Sequence, residues 1–404
     1  MAQKKNNTPN KKTVNKVIKT SKKMAKSNPK GFIIAVIILF ILVGLGVGGY
    51  FGYKSFFEGR KGNDPDSSQN STQRTSRSHY EGDSGAIDIN FLELGNKYTG
   101  DCTFIKAGDN DILIDAGSRQ NSANTIAEFI DGYCSDGILE YVIATHAHQD
   151  HIAGFVGSKD AQGIFKRYKI NTLIDFSQTT ATSAIYNNYV SLRDEKIASG
   201  DIVNHYTALD CVEGTNGGKK VFELGEGLSM EILDQKYYHE VDKNDENNHS
   251  VCALFTQGNN NYLFTGDLEK EGEKSLVELN DLPEVELFKG GHHGSYTANT
   301  DNLLSVIKPK TVCICCCAGS DEYTKTPENM FPAQDAINRI AKYTDKVYVT
   351  TVVSDDDKGY KSMNGNINFH CDKGNEYLVT GSNNSTILKD TDWFKNNRTW
   401  PVYY

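Results

Sequence analysis

Between positions 145 and 151 the chain reads Thr-His-Ala-His-Gln-Asp-His, so His146, His148, Asp150 and His151 fall within six positions. Imidazole nitrogen and carboxylate oxygen together suit zinc, manganese or iron. A lone histidine is an ordinary packing or surface residue; three with an acid at this spacing point to convergent chemistry. The apolar run 139–144, Leu-Glu-Tyr-Val-Ile-Ala, directly precedes the cluster. It reads as a buried strand, which puts the cluster on the loop leaving that strand's end.

Three later segments share this design. Asn247-Asn248-His249-Ser250 opens a strand, Phe264-Thr265-Gly266-Asp267 closes the next, and Lys289-Gly290-Gly291-His292-His293-Gly294-Ser295 follows another. An earlier piece, Leu113-Ile114-Asp115-Ala116-Gly117, is built the same way. Ligand-capable groups thus repeatedly follow apolar runs, as expected if strand tips meet along one edge of a sandwich. His79, His205, His239 and His370 fall outside these segments and read as surface or packing residues.

The positioning elements follow from periodicity. Short β-like runs are expected at 87–94, 102–106, 111–115, 141–145, 172–176, 229–233, 251–256, 262–265, 285–289, 311–317, 347–353 and 365–370. Helical patterns are expected at 122–133, 184–199, 268–279, 299–306 and 333–343, with 241–248 a polar loop. Two sheet-forming halves with helices outside predict an α/β fold, a four-layer αββα sandwich. Nine cysteines, an odd number whose one CxxC spacing (Cys313/Cys316) lies inside an apolar run, give no disulfide framework and no zinc-ribbon pair of CxxC motifs. Cys313-Ile314-Cys315-Cys316-Cys317 reads as a buried strand, free cysteine behaving as a small hydrophobe.

Residues 31–53 carry no charge over 23 positions, which at about 1.5 Å per residue exceeds a hydrocarbon core of roughly 30 Å. This predicts a transmembrane helix. Residues 1–30 hold ten lysines and no acid, so that tail is expected in the cytoplasm and everything after Tyr53 outside. Residues 54–85 read as a flexible polar linker and 86–404 as the folded unit. Residues 1–61 hold 13 Lys/Arg and one Glu, whereas 62–404 hold 30 basic and 51 acidic residues, a net −21. That balance disfavours non-specific binding of polyanions.

The ordered set H-x-H-x-D-H, N-x-x-S, T-G-D and G-H-H-G-S resembles the metallo-β-lactamase superfamily. Within it the set is most similar to the soluble hydrolase domains of ComEC-type competence proteins, from about Ile89 to Phe369. The resemblance implies an αββα sandwich with a metal pair at one edge. It implies that His146 and His148 hold one metal, Asp150 and His151 the second, and Asp267 bridges both. His292 or His293 would complete the second site, and Asp115 would support the metal loop from behind. Two positions depart from the pattern. The only candidate for a further histidine ligand is His249, where similar chains carry a polar residue. Phe331-Pro332 stands where they carry His-Pro.

Such a site implies two divalent cations, zinc or manganese, about 3.5–4 Å apart, sharing a hydroxide whose pKa falls toward neutrality. Asp150 would orient the nucleophile, and His249 or one of the 292–293 pair would protonate the leaving oxygen. The expected function is a membrane-anchored, extracytoplasmic phosphodiesterase acting on DNA, an oligonucleotide or a smaller diester. The alternatives are a phosphocholine esterase of the cell surface and a non-enzymatic binding module.

Overall fold

The computed structural model describes residues 85–356, 358–373 and 376–403. The predicted tail 1–30, span 31–53 and nearly all of linker 54–85 lie outside them. Among the described residues no helix is long and apolar enough to cross a membrane.

Among the described residues, sixteen strands form two mixed sheets with helices, an α/β fold. The strands are β1 (Ile87–Phe91), β2 (Thr103–Ala107), β3 (Asn110–Ile114), β4 (Ile138–Ile143), β5 (Lys169–Asp175), β6 (Ile202–Thr207), β7 (Val221–Gly225) and β8 (Leu228–Leu233). They continue as β9 (Cys252–Gln257), β10 (Asn260–Phe264), β11 (Leu287–Lys289), β12 (Val312–Ala318), β13 (Val347–Val353), β14 (Tyr360–Ser362), β15 (Ile367–Cys371) and β16 (Tyr377–Gly381). One sheet runs β16-β15-β1-β2-β3-β4-β5-β6, the other β14-β13-β12-β11-β10-β9-β8-β7. In the first, β3 to β6 are parallel; in the second, β10 to β13 are.

The inner faces of both sheets meet in one apolar core. Phe91 stacks on Phe264 at 6.2 Å, and Tyr262 meets Phe369 edge-on at 5.4 Å. Phe155, Phe165 and Tyr189, from helices Gln149–Val156, Ile164–Arg167 and Ala184–Ser199, join the same cluster from outside the first sheet. A second cluster covers the other sheet's outer face, where Leu254 and Leu263 meet Leu276, Leu303, Ile307, Ile337 and Ile340 of flanking helices. Each large apolar side chain buried this way contributes about 1.5–3 kcal/mol. β12 is buried on both faces: Cys313 and Cys315 enter the inner core while Ile314 and Cys316 enter the outer one. The cysteine-rich run is therefore a strand interior, and all nine cysteines are buried free thiols.

The predicted helix at 184–199 forms over those residues, and the other four form in shortened versions. One expectation needs correction. Asp150 and His151 stand not on a loop but in the first turn of the helix Gln149–Val156, with His148 at its N-cap. The cause lies in Ile152, Ala153 and Phe155, all fully buried, whose apolar pull continues the chain as helix straight out of the ligand-like cluster. The stretch predicted as a polar loop also holds a short 3-10 helix, Glu246–His249, capped by the Asp245 side chain on the Asn247 N–H.

Candidate metal centre

Parallel strands bring their C-terminal ends to one edge, and ligand sites of open α/β sheets form there. β3 delivers Asp115, β4 the segment 145–151, β10 Asp267, β11 the 290–293 turn and β12 the loop that follows it. Because β2 runs antiparallel to β3 with Thr103 opposite Ile114, the start of β2 lies at the same edge and delivers Asp101. Backbone hydrogen bonds stitch these tips together. The Asp101 N–H donates to Asp150 O (3.0 Å), Ala116 N–H to His151 O (2.7 Å), Gly117 N–H to Asp101 O (2.8 Å) and Gly154 N–H to Ala116 O (2.5 Å).

Asp115 is buried and receives both the N–H and the hydroxyl of Thr145, each at 2.7 Å. Its Oδ2 also lies 2.7 Å from His151 Nδ1, so the carboxylate fixes ring orientation and tautomer and points Nε2 inward. His293 repeats this design: Nδ1 faces Cys315 O at 2.9 Å and Asp101 Oδ1 at 3.2 Å. Both Nε2 atoms converge on one oxygen, Asp267 Oδ2, each at 3.1 Å. His293 Nε2 is also 3.3 Å from Asp150 Oδ2. His146 Nε2 meets His148 Nδ1 at 3.0 Å beside this pair, with the His146 ring 4.1 Å from that of His151. Ser250 Oγ accepts the Asp267 N–H at 3.0 Å and lies 3.4 Å from His146 Nδ1, tying the N-x-x-S segment to both.

The 290–293 turn is forced open. His292 and His293 adopt φ of 46° and 53°, left-handed values that cost a non-glycine residue of order 1–2 kcal/mol each. This turn splits the two rings. His293 is buried at the centre, while His292 sits half-buried at the rim, 3.0 Å from Glu269 Oε1 and 3.9 Å from Asp267 Oδ2. The dyad left open by sequence thus contributes one central and one rim imidazole.

Electrostatics follow burial and pairing. Burial and the neighbouring imidazoles push His146 well below the ordinary histidine range, leaving a neutral ring. Burial alone would also lower His151 and His293, but Asp267, with Asp115 for one and Asp101 for the other, outweighs it and holds both well above that range. Asp267 is correspondingly held far below the carboxylate range, burial being overcome by His151, His293 and His292. Asp115 is raised, burial winning over His151.

The residues fit a cation. Asp101, His151, Asp267 and His293 each offer a ligand atom, all within 4.8 Å of one another. Asp101 Oδ1, Asp267 Oδ1 and His293 Nε2 are buried within ion-pair distance of neighbours yet form no hydrogen bond. Such groups are costly to bury without a partner, and a divalent ion supplies one. His146, His148 and Asp150 add nitrogen and oxygen donors alongside.

Sequence reasoning missed Asp101 and Lys289. The Lys289 ammonium, fully buried, pairs with Asp101, lies 3.6 Å from Asp267 Oδ1 and donates to Gly266 O at 3.1 Å. Gly100-Asp101, preceding a strand, offered the same glycine-acid signal as Gly266-Asp267. Conversely, His249 is held within its own loop. Its Nε2 accepts the Asp242 N–H at 2.9 Å and its Nδ1 lies 3.2 Å from Glu246 Oε2, so the ring faces groups of its own loop.

A family model described as the metallo-beta-lactamase superfamily matches residues 95–172, the span that carries Asp101, Asp115 and the 146–151 cluster. The chain resembles that superfamily, as its ordered motifs indicate. It is 26% identical over 181 residues to ComE operon protein 3 of Bacillus subtilis (strain 168), covering 44% of this chain and 20% of that one. It is 26% identical over 266 residues to Recombination protein 2 of Haemophilus influenzae, covering 65% and 28%. The chain thus matches less than a third of the length of either curated relative. Among solved structures, the metallo-beta-lactamase fold protein YhfI from Bacillus subtilis matches with TM-score 0.35 at 11% identity, covering 73% of this chain and 99% of that one.

Proposed function

We propose that the chain is a metal-dependent hydrolase that cleaves a phosphodiester. The observation that carries this reading is the convergence of two carboxylate-backed imidazoles, His151 and His293, on Asp267 Oδ2. Bound divalent ions, zinc or manganese by the donor set, would supply Lewis-acid chemistry. In this reading His146, His148, Asp150, His151, Asp267 and His293 hold the ions. Asp115 and Asp101 fix the two inner imidazoles. His292 stands at the rim with Nδ1 against Glu269 Oε1, a geometry that directs its other nitrogen toward a leaving oxygen as proton donor. Lys289 keeps a permanent positive charge under the carboxylates, which opposes their mutual repulsion.

The net −21 of residues 62–404 supports a short oligonucleotide or a smaller diester over long duplex DNA as substrate. We further propose a single span at 31–53 with the hydrolase outside the cytoplasm, supported by its uncharged run and lysine-rich flank. The test is the full-length protein loaded with zinc or manganese, assayed on bis(4-nitrophenyl) phosphate, single- and double-stranded DNA, a phosphomonoester and a carboxylic ester. Turnover of the diester with weak action on the others is expected. Hydrolysis of the carboxylic ester alone would overturn the substrate class.

A further inference from the structure

We propose that Tyr323 is a positioning residue of the metal centre: a clamped loop delivers its hydroxyl to Asp150 and fixes that carboxylate in the pose that receives a cation. This rests on the reading of the centre as a cation site.

The Tyr323 hydroxyl donates to Asp150 Oδ2 at 2.6 Å. The same oxygen is 3.3 Å from His293 Nε2, so phenol and imidazole together hold one edge of the carboxylate. A tyrosine on a loop has no need to do this. The residue is 49% exposed, and an idle phenol would turn its oxygen to water. Here the polar end goes inward to a buried acid while the ring edge stays in solvent. A hydrogen bond onto an ionised carboxylate is about twice as strong as a neutral one.

The loop is built to aim this side chain. Next to Tyr323, Glu322 accepts the Thr99 N–H on Oε2 at 2.9 Å and pairs through Oε1 with the Arg119 guanidinium. Arg119 lies 4.0 Å over the Tyr98 ring and donates to Ser118 O at 2.9 Å. It follows directly on the Asp115–Gly117 strand tip, so the clamp registers the loop against the segment that backs His151. At the loop's base, Gly319 N–H donates to Phe331 O at 2.9 Å. The Phe331 ring packs 5.3 Å from Tyr323 and 5.7 Å from each of His292 and His293. Backbone clamp, aromatic packing and hydroxyl therefore agree on one orientation.

Tyr323→Phe removes a single oxygen and keeps the packing on Phe331. Metal-stripped full-length protein and the variant are each titrated with cobalt(II) and followed by visible absorption. The variant is expected to bind cobalt about tenfold or more weakly, with a shifted d–d band. Its metal-free melting temperature is expected to stay within about 2 °C of the parent's, which separates positioning from a folding defect. Parent-like affinity and band in the variant overturn the proposal. Failure of the parent to take up cobalt removes the cation reading and the proposal with it. A cobalt shift in the variant with no turnover of bis(4-nitrophenyl) phosphate by either protein supports the Tyr323 assignment and removes only the hydrolase reading.

Discussion

Asp267 collects both inner imidazoles on one oxygen and leaves its other oxygen buried without a hydrogen bond, so no neighbour can take its place. Asp267→Asn keeps the shape and removes the charge. It is expected to lower bound metal below half the parent's content and hydrolysis by more than about 100-fold, beyond what loss of an outer partner costs; elemental analysis with diester turnover checks both. Asp245 offers a test away from the ions. Burial and Glu269 push its carboxyl up to about 7, while its side chain caps the 246–249 turn. A carboxyl raised in the folded state binds more protons there than in the unfolded chain. Its stabilising contribution is complete below about pH 4 and is lost as pH rises toward 7. Asp245→Asn keeps the cap acceptor and removes that loss. Between pH 5 and 8 the variant should lose less stability than the parent, by on the order of 1 kcal/mol after solvent screening, read from denaturant midpoints. At this scale the 146–151 cluster, Asp267 and the 292–293 dyad were legible because short spacing and repeated strand-end placement announce them, but which imidazole of the dyad stands at the centre was not. Asp101 and Lys289 were not. The Gly100-Asp101 pair stands before a strand rather than after one, so its place at the same edge follows only from the antiparallel pairing of β2 with β3, and that of Lys289 from the parallel pairing of β10 with β11.

Strands and turns decide whether those residues meet. The three stitched tips leave no room at Gly117, where an added Cβ would stand 1.5 Å from Asp150 O and 2.3 Å from Asp150 C. Both contacts are to backbone, so neither can swing away. Gly117→Ala must therefore push the β3 tip from the 149–156 helix and spread Asp101, Asp115 and His151. A loss of about 3 kcal/mol or more is expected, by overpacking, with weaker cobalt uptake; urea unfolding and cobalt titration measure it. The same tip explains which elements the sequence revealed. Runs buried on both faces, such as β9 and β12, stood out as apolar blocks. The edge strands β6, β7, β14 and β16 did not, because most of their residues are exposed or half-buried, as at Val203, Val221 and Leu378. The helix Gln149–Val156 was hidden because its first turn is made of polar site residues, and only its last residues carry the apolar signal.

Across the folded unit, charge and stability are coupled at one place. Asp101, Asp115, Asp150 and Asp267 are all buried at the sheet edge, against one buried ammonium, Lys289. In metal-free protein the remaining positive charge comes from His151 and His293, both held well above the ordinary histidine range by those acids. Their stabilising protonation is complete below the unfolded histidine value, near 6.5, and is lost as pH rises through their higher folded values. A cation must displace these protons, because a metal-ligating imidazole is neutral. Metal uptake should therefore release protons into a weakly buffered solution. It should also be tighter at higher pH, and stripping the metal should destabilise the whole unit. At a free metal concentration 100 times the dissociation constant the gain is about 2.7 kcal/mol. The melting-temperature difference between zinc-loaded and stripped protein should accordingly be larger near pH 8 than near pH 6, where protons compete for the same nitrogens. Calorimetry in two buffers of different ionisation enthalpy, with melting scans at both pH values, measures release and stabilisation together. A pH-independent difference with no proton release would mean that the ions bind elsewhere than at His151 and His293.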